Sequence, residues 1–123
     1  MIMQAKWHIE NPLQCPLVHT LSMIAGKWKP VILHVLSSGA SRPGELRRLM
    51  PAISQKMLTQ QLRELVSDGL VLRVQIAQKP LHVEYRLSDT GLSLVPLLQQ
   101  MYAWGANYQA VQTGHDVGEV SLN

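Results

Sequence analysis

The sixteen residues from Ser54 to Gly69, SQKMLTQQLRELVSDG, are marked as a helix at both ends. Ser54, following the break at Pro51, is a good N-cap, and Gly69 after Asp68 supplies a stop. Between these marks Met57, Leu58, Leu62, Leu65 and Val66 recur at helical spacing, which predicts one buried face. The opposite face carries Gln55, Lys56, Thr59, Gln60 and Arg63, set side by side by spacings of three and four. Lys56 stands in the first turn, at the wrong end of the helix dipole. That small cost makes sense if an anion approaches there.

The residue types on this face are a particular selection. Gln55 and Gln60 carry amides that can bond adenine bidentately, Lys56 and Arg63 suit guanine or phosphate, and Thr59 offers a hydroxyl beside a methyl group. An ordinary solvated helix more often shows Glu and Lys pairs, and here the acid Glu64 lies toward the side of the face. With Ser54 at its head, this set is the candidate for reading base edges.

Charge distribution points the same way. Ten of the eleven Lys and Arg residues fall between Lys27 and Arg86 with only four acids, a balance of +6, whereas the rest of the chain balances at −3. The central segment is thus expected to face a polyanion. Arg42, Arg47, Arg48, Lys79 and His82 are the candidate phosphate contacts.

A length of 123 residues suits one core. No apolar run approaches the roughly 18 residues of a membrane span, and the N-terminus lacks signal-peptide architecture, which predicts a cytoplasmic protein with no membrane partner. A single cysteine excludes an internal disulfide framework.

Taken in order, residues 1–14 are weakly patterned and predicted as an extended arm. Pro16 opens a helix to about Ala25, with Leu17, Leu21 and Ile24 on one face and Gly26 ending it. A second helix, Trp28 to Leu36, holds Trp28, Val31, Ile32, Val35 and Leu36 as core. Ser41-Arg42 reads as a very short strand. Pro43 to Met50 forms a helix with Leu46, Leu49 and Met50 inward. After the capped helix, Leu70 to Gln78 and Leu81 to Leu87 alternate around Gln78-Lys79-Pro80, predicting a hairpin with a basic tip and half-buried stems. Ser88 caps a last long helix bearing Leu92, Val95, Leu98, Met101, Tyr102, Gly105 and Tyr108, with a kink or break expected at Pro96. Residues 111–123 are expected to fray. The predicted class is therefore mainly α with a small β-hairpin wing, a winged helix-turn-helix domain over residues 15–110.

Three strings carry a family resemblance: CPLVHTLSMIAGKWKPVILHVL, GELRRLMPAISQKMLTQQLRELVSDGLVLR, and VEYRLSDTGLSLVPLL with YAWG. On these the chain resembles the HxlR-type branch of the MarR-like winged-helix transcription regulators, from about Cys15 to Tyr108. Pro43 stands where relatives commonly carry an aromatic residue. The resemblance implies a homodimer joined through its N- and C-terminal helices on a pseudo-palindromic operator of double-stranded DNA, more often as a repressor. Independently, Met101, Tyr102, Trp104 and Tyr108 on a terminal helix present apolar surface in want of a partner.

Cys15, beside Pro16 at a helix N-terminus, sits where partial positive charge favours a thiolate, with His19 one turn on. Its alternative role is that of a small, inert buried residue. The resemblance extends to this cysteine, which some family members use to sense oxidants or electrophiles. The five histidines do not pair at metal-binding spacing, one cysteine makes no zinc set, and no phosphate loop or nucleophile–base motif stands out. No cofactor and no catalysis are expected. The competing expectation, a winged-helix module that binds protein, is opposed by the uneven charge and the polar helix face.

Overall fold

Local punctuation sets the order of elements in the computed structural model, which describes residues 10–39 and 41–116. Pro16 takes the first position of α1 (Pro16–Ile24), where its missing N–H costs nothing, and Gly26 at φ 94° turns the chain into α2 (Trp28–Leu36). Next come α3 (Pro43–Leu49), α4 (Gln55–Ser67), β1 (Val71–Gln78), β2 (Leu81–Leu87) and α5 (Asp89–Asp116). This is the predicted winged helix-turn-helix, with α3 and α4 as the two-helix unit and the hairpin as the wing.

The caps of α4 form as the sequence implies. The Ser54 hydroxyl accepts from the Met57 N–H at 3.0 Å, and Gly69 at φ 78° leaves the helix. On the inner face Leu58, Leu62 and Leu65 are fully buried with Ile32, Leu33, Leu46, Ile53 and Leu70. Each such side chain contributes about 1.5–3 kcal/mol by leaving water. The core thus holds α4 by its apolar side, and the polar side faces out. Met57, expected inward, lies at the rim and is exposed.

Ser41 bridges Tyr85 through both backbone groups (2.9 and 2.8 Å), which is the very short strand expected there. The hairpin pairs Val71 with Leu87 through to Gln78 with Leu81, with a register irregularity between Gln75 and Ala77.

Several expectations need correction. Leu49 is 64% exposed, because α3 ends there and Met50, in a non-helical conformation, takes the inward position. The wing stems are half buried only in part: Val74 and, in β2, His82, Val83, Glu84 and Tyr85 are half-buried and Val71 and Leu87 enter the core, whereas Leu72, Ile76 and Leu81 are exposed. The sheet has only two strands, so little covers one of its faces. Leu17, Leu21 and Val31 likewise face outward from α1 and α2. Of the kink or break expected at Pro96, the break does not occur: α5 runs through it as one helix. Pro96 and Leu92 are both exposed, so water can reach the Leu92 carbonyl that lacks a donor. Residues 111–116, expected to fray, belong to α5. The rest of that tail lies outside the described residues, as do residues 1–9 of the expected arm, which ends in a single 3-10 turn at Pro12–Gln14.

Ser88 joins the wing to α5. Its N–H donates to the Leu70 carbonyl (3.0 Å) and its hydroxyl to the Gly69 carbonyl (2.5 Å), while the Gly91 N–H donates back to that hydroxyl (3.0 Å). A Cβ on Gly91 would collide with the Leu70 carbonyl oxygen, so close approach of backbones requires glycine here.

Candidate nucleic-acid interface

The outer face of α4 is an open, polar groove of about 540 Å³ lined by Lys56, Thr59, Gln60, Arg63 and Glu64. Helical spacing brings these side chains together, and burial of Leu58, Leu62 and Leu65 fixes which way they point. Beside them, Arg47 of α3 donates from Nη1 to Gln55 Oε1 at 3.4 Å, and Gln55 donates from Nε2 to Thr59 Oγ1 at 3.3 Å. The two helices therefore present one connected row of donors and acceptors. Arg48, on the same short helix as Arg47, is exposed.

A second cleft of about 430 Å³ separates this face from the wing, with Arg42, Gln55, Thr59, Arg73, His82 and Tyr85 among its walls. The Arg42 guanidinium donates from Nε to His82 Nε2 at 2.8 Å, and Glu84 Oε2 lies 3.1 Å from the same ring nitrogen. His82 is thus half-buried and engaged, joining the start of α3 to β2. Lys79 stands apart at the hairpin tip, fully exposed. Ser54 is taken up by its capping bond. The sequence-predicted set is therefore exposed except for His82, and it falls into two adjoining surfaces plus the tip.

Two of the basic residues without an assigned role in the sequence gain a setting in the structure. Arg73 points into the second cleft, and its position on the strand face shared with Val71 was the available signal. Lys29 is buried under α4, where its Nζ pairs with Glu64 Oε1 at 2.7 Å. The Lys29 ammonium, with help from the Gln60 amide, holds the Glu64 carboxyl below its ordinary value of 4.5. Nothing in the local spacing reveals a contact between residues so far apart in sequence.

Cys15 is the N-cap of α1 and only 8% exposed. Against α2, the side of α5 forms an apolar groove of about 310 Å³ lined by Pro30, Val31, His34, Leu98, Met101 and Tyr102, with the His34 and Tyr102 rings stacked at 5.1 Å. Trp104 and Tyr108 stack on each other at 5.3 Å in the open. Among the described residues no group of three or more His, Cys, Asp or Glu is placed to hold a metal ion, and no helix is long and apolar enough to cross a membrane.

The model of the family described as HxlR-like helix-turn-helix matches residues 23–113. The uncharacterized HTH-type transcriptional regulator YtcD of Bacillus subtilis (strain 168) is 56% identical over 89 residues, which are 72% of this chain and 71% of YtcD. The redox regulator HypR in its oxidized form is 45% identical with a TM-score of 0.72, covering 76% of this chain and 96% of HypR. The quinone-bound YodB from B. subtilis is 34% identical with a TM-score of 0.64, covering 76% of this chain and 99% of YodB. An exposed polar helix face, a wing beside it and the family match across both agree: this chain belongs to the HxlR-like helix-turn-helix family, whose members are DNA-binding transcription regulators and not enzymes.

Proposed function

We propose that this protein is a sequence-specific regulator that acts in the cytoplasm as a homodimer on a pseudo-palindromic operator. The observation that carries the reading is the α4 face, where Lys56, Thr59, Gln60 and Arg63 line one open surface on a helix held by the core from behind. That surface enters the major groove, with Gln55 at its edge. Arg47, Arg48 and Lys79 contact phosphates, and so does Arg42, braced by His82. The mode of regulation that needs nothing beyond this surface is repression, by covering the duplex.

Pairing is supported by apolar surface that the described residues leave exposed. Between Gln99 and Thr113 no residue of α5 is buried, and Tyr102 and Trp104 are 63% and 69% exposed. Leu17 and Leu21 of α1 add to this surface. A two-fold dimer through these helices sets two α4 helices about 34 Å apart, one turn of DNA.

Selection of bound fragments from random duplex DNA tests the reading, with sedimentation measuring the stoichiometry. Enrichment of an inverted repeat by a dimer is expected. A monomer, or affinity that ignores both sequence and salt, would remove the proposal and favour a protein-binding module.

The same reading makes Cys15 the regulatory thiol. Its place at the α1 N-terminus, beside the proposed dimer surface, supports this, as do the redox regulator HypR and the quinone-bound YodB among similar structures. A quinone would add to the Cys15 sulfur. Diamide would join Cys15 to a thiol of another molecule, because the chain has only one cysteine. Operator affinity of the wild type should change after either reagent, and that of Cys15→Ser should not; identical responses would dismiss the idea.

A further inference from the structure

Glu64 is the one acid in the α4 groove, and both of its oxygens are occupied. Oε1 accepts from the buried Lys29 ammonium at 2.7 Å, and Oε2 accepts from Gln60 Nε2 at 3.3 Å. Lys29 belongs to α2 and its side chain is only 10% exposed, whereas that of Glu64 is 44% exposed. The carboxylate therefore links a fixed cation in the core to an amide on the reading face. From these contacts we infer that Glu64 is a positioning residue that sets which end of the Gln60 amide is offered to DNA, and so which base Gln60 selects. The inference rests on the operator reading above and adds a determinant of specificity to it.

Polarity along this chain of bonds follows from donor and acceptor chemistry. Lysine can only donate, an ionised carboxylate can only accept, and Gln60 must therefore turn its NH2 toward Glu64. Gln60 Oε1 is left as the free end, together with the second N–H of Nε2. That arrangement suits a base edge offering an amino group, as adenine N6 or cytosine N4 does. The lowered pKa of Glu64 keeps the carboxylate ionised, and hence acceptor-only, at neutral pH.

Glu64→Gln inverts the pattern while keeping the shape. Lys29 holds the new amide by its oxygen, so the new NH2 faces Gln60. Two NH2 groups cannot bond each other, and Gln60 turns over to offer its oxygen inward and Nε2 outward. The outward end then suits acceptors such as guanine O6 and N7 or thymine O4. A side chain that never touches DNA would in this way change the base chosen.

The test is selection from a random duplex library with four proteins: wild type, Gln60→Ala, Glu64→Gln and the double variant. Gln60→Ala identifies the base pair read by Gln60, as the one whose preference it erases. At that pair the wild type should prefer adenine or cytosine and Glu64→Gln should prefer guanine or thymine, a swing of about tenfold, with other positions keeping their preferences. In the Gln60→Ala background Glu64→Gln should change nothing. An unchanged base at that pair, or equal weakening at every position, would overturn the inference while leaving the operator reading intact. A wild type that enriches no motif sinks both.

Should Glu64→Gln fail to fold by circular dichroism, the variant combining Lys29→Met and Glu64→Leu replaces the ion pair with apolar side chains of similar length. It frees the Gln60 amide, so preference at that one pair should relax by about tenfold and not reverse. Full retention of the wild-type preference in that variant would equally overturn the inference.

Discussion

The Ser88 hydroxyl donates to the Gly69 carbonyl oxygen at 2.5 Å, tying the first turn of α5 to the residue that ends the run of α4. The Ser88 hydroxyl in turn accepts from the Gly91 N–H, so one side chain caps α5 and anchors it beside the end of α4.

Ser88→Ala removes the cap and the anchor together. The loss should cost about 1 kcal/mol of stability, as for other N-cap deletions. Urea unfolding monitored by tryptophan fluorescence measures it, and a midpoint equal to wild type would show that the anchor contributes nothing.

Gly91→Ala places a methyl group against the Leu70 carbonyl, which is backbone and cannot swing aside. About 1–3 kcal/mol of destabilisation is expected, the range for overpacking. In the same unfolding assay, stabilisation by the added helix propensity of alanine would mean that α5 shifts freely on β1.

Arg63→Ala and Arg73→Ala should differ in kind. Loss of Arg63 from the reading groove should cost about 1–3 kcal/mol on the operator and relax one base preference. Loss of Arg73 from the cleft, or of Lys79 from the tip, should weaken operator and random DNA alike and reduce the salt slope by about 1. Titrations at several salt concentrations separate the two, and equal effects of Arg63→Ala on both DNAs would deny it base reading.

Glu64 also gives a dependence on pH. Its carboxyl titrates below 4.5 when folded, because Lys29 and Gln60 favour the ionised form, and near 4.5 when unfolded. A depressed carboxylate contributes stability that is fully present above the unfolded value and is lost as pH falls through the folded one. Stability should therefore fall more steeply below pH 4.5 in the wild type than in Glu64→Gln. Parallel curves from acid titration would refute the contribution.

Short-range signals made much of this molecule legible. The N-cap at Ser54, the stop at Gly69 and the spacing of Leu58, Leu62 and Leu65 define α4 without reference to any other part of the chain, and the exposed polar face follows from them. What local pattern misses is whatever depends on a distant neighbour. Lys29 reads as one more basic residue until α2 lies under α4, and Arg73 gains its setting only when the hairpin closes a cleft against Gln55 and Thr59. Alternation in β1 promised half-buried Leu72 and Ile76, yet a two-stranded sheet has no layer to cover that side. At Pro96 the sequence allows a kink or a break, and the local pattern alone does not tell that α5 runs on through it without a break.

The uncovered length of α5 has a thermodynamic consequence. A helical segment with no buried residue among those described is marginal in water, so in the proposed dimer the second subunit that covers it would also keep it folded. Ordering of that segment then obeys mass action, and dilution unwinds it just as denaturant would. For the proposed dimer, cellular copy number would then be a regulatory variable in its own right: scarcer protein would be less ordered, and operators would empty more abruptly than simple proportion dictates.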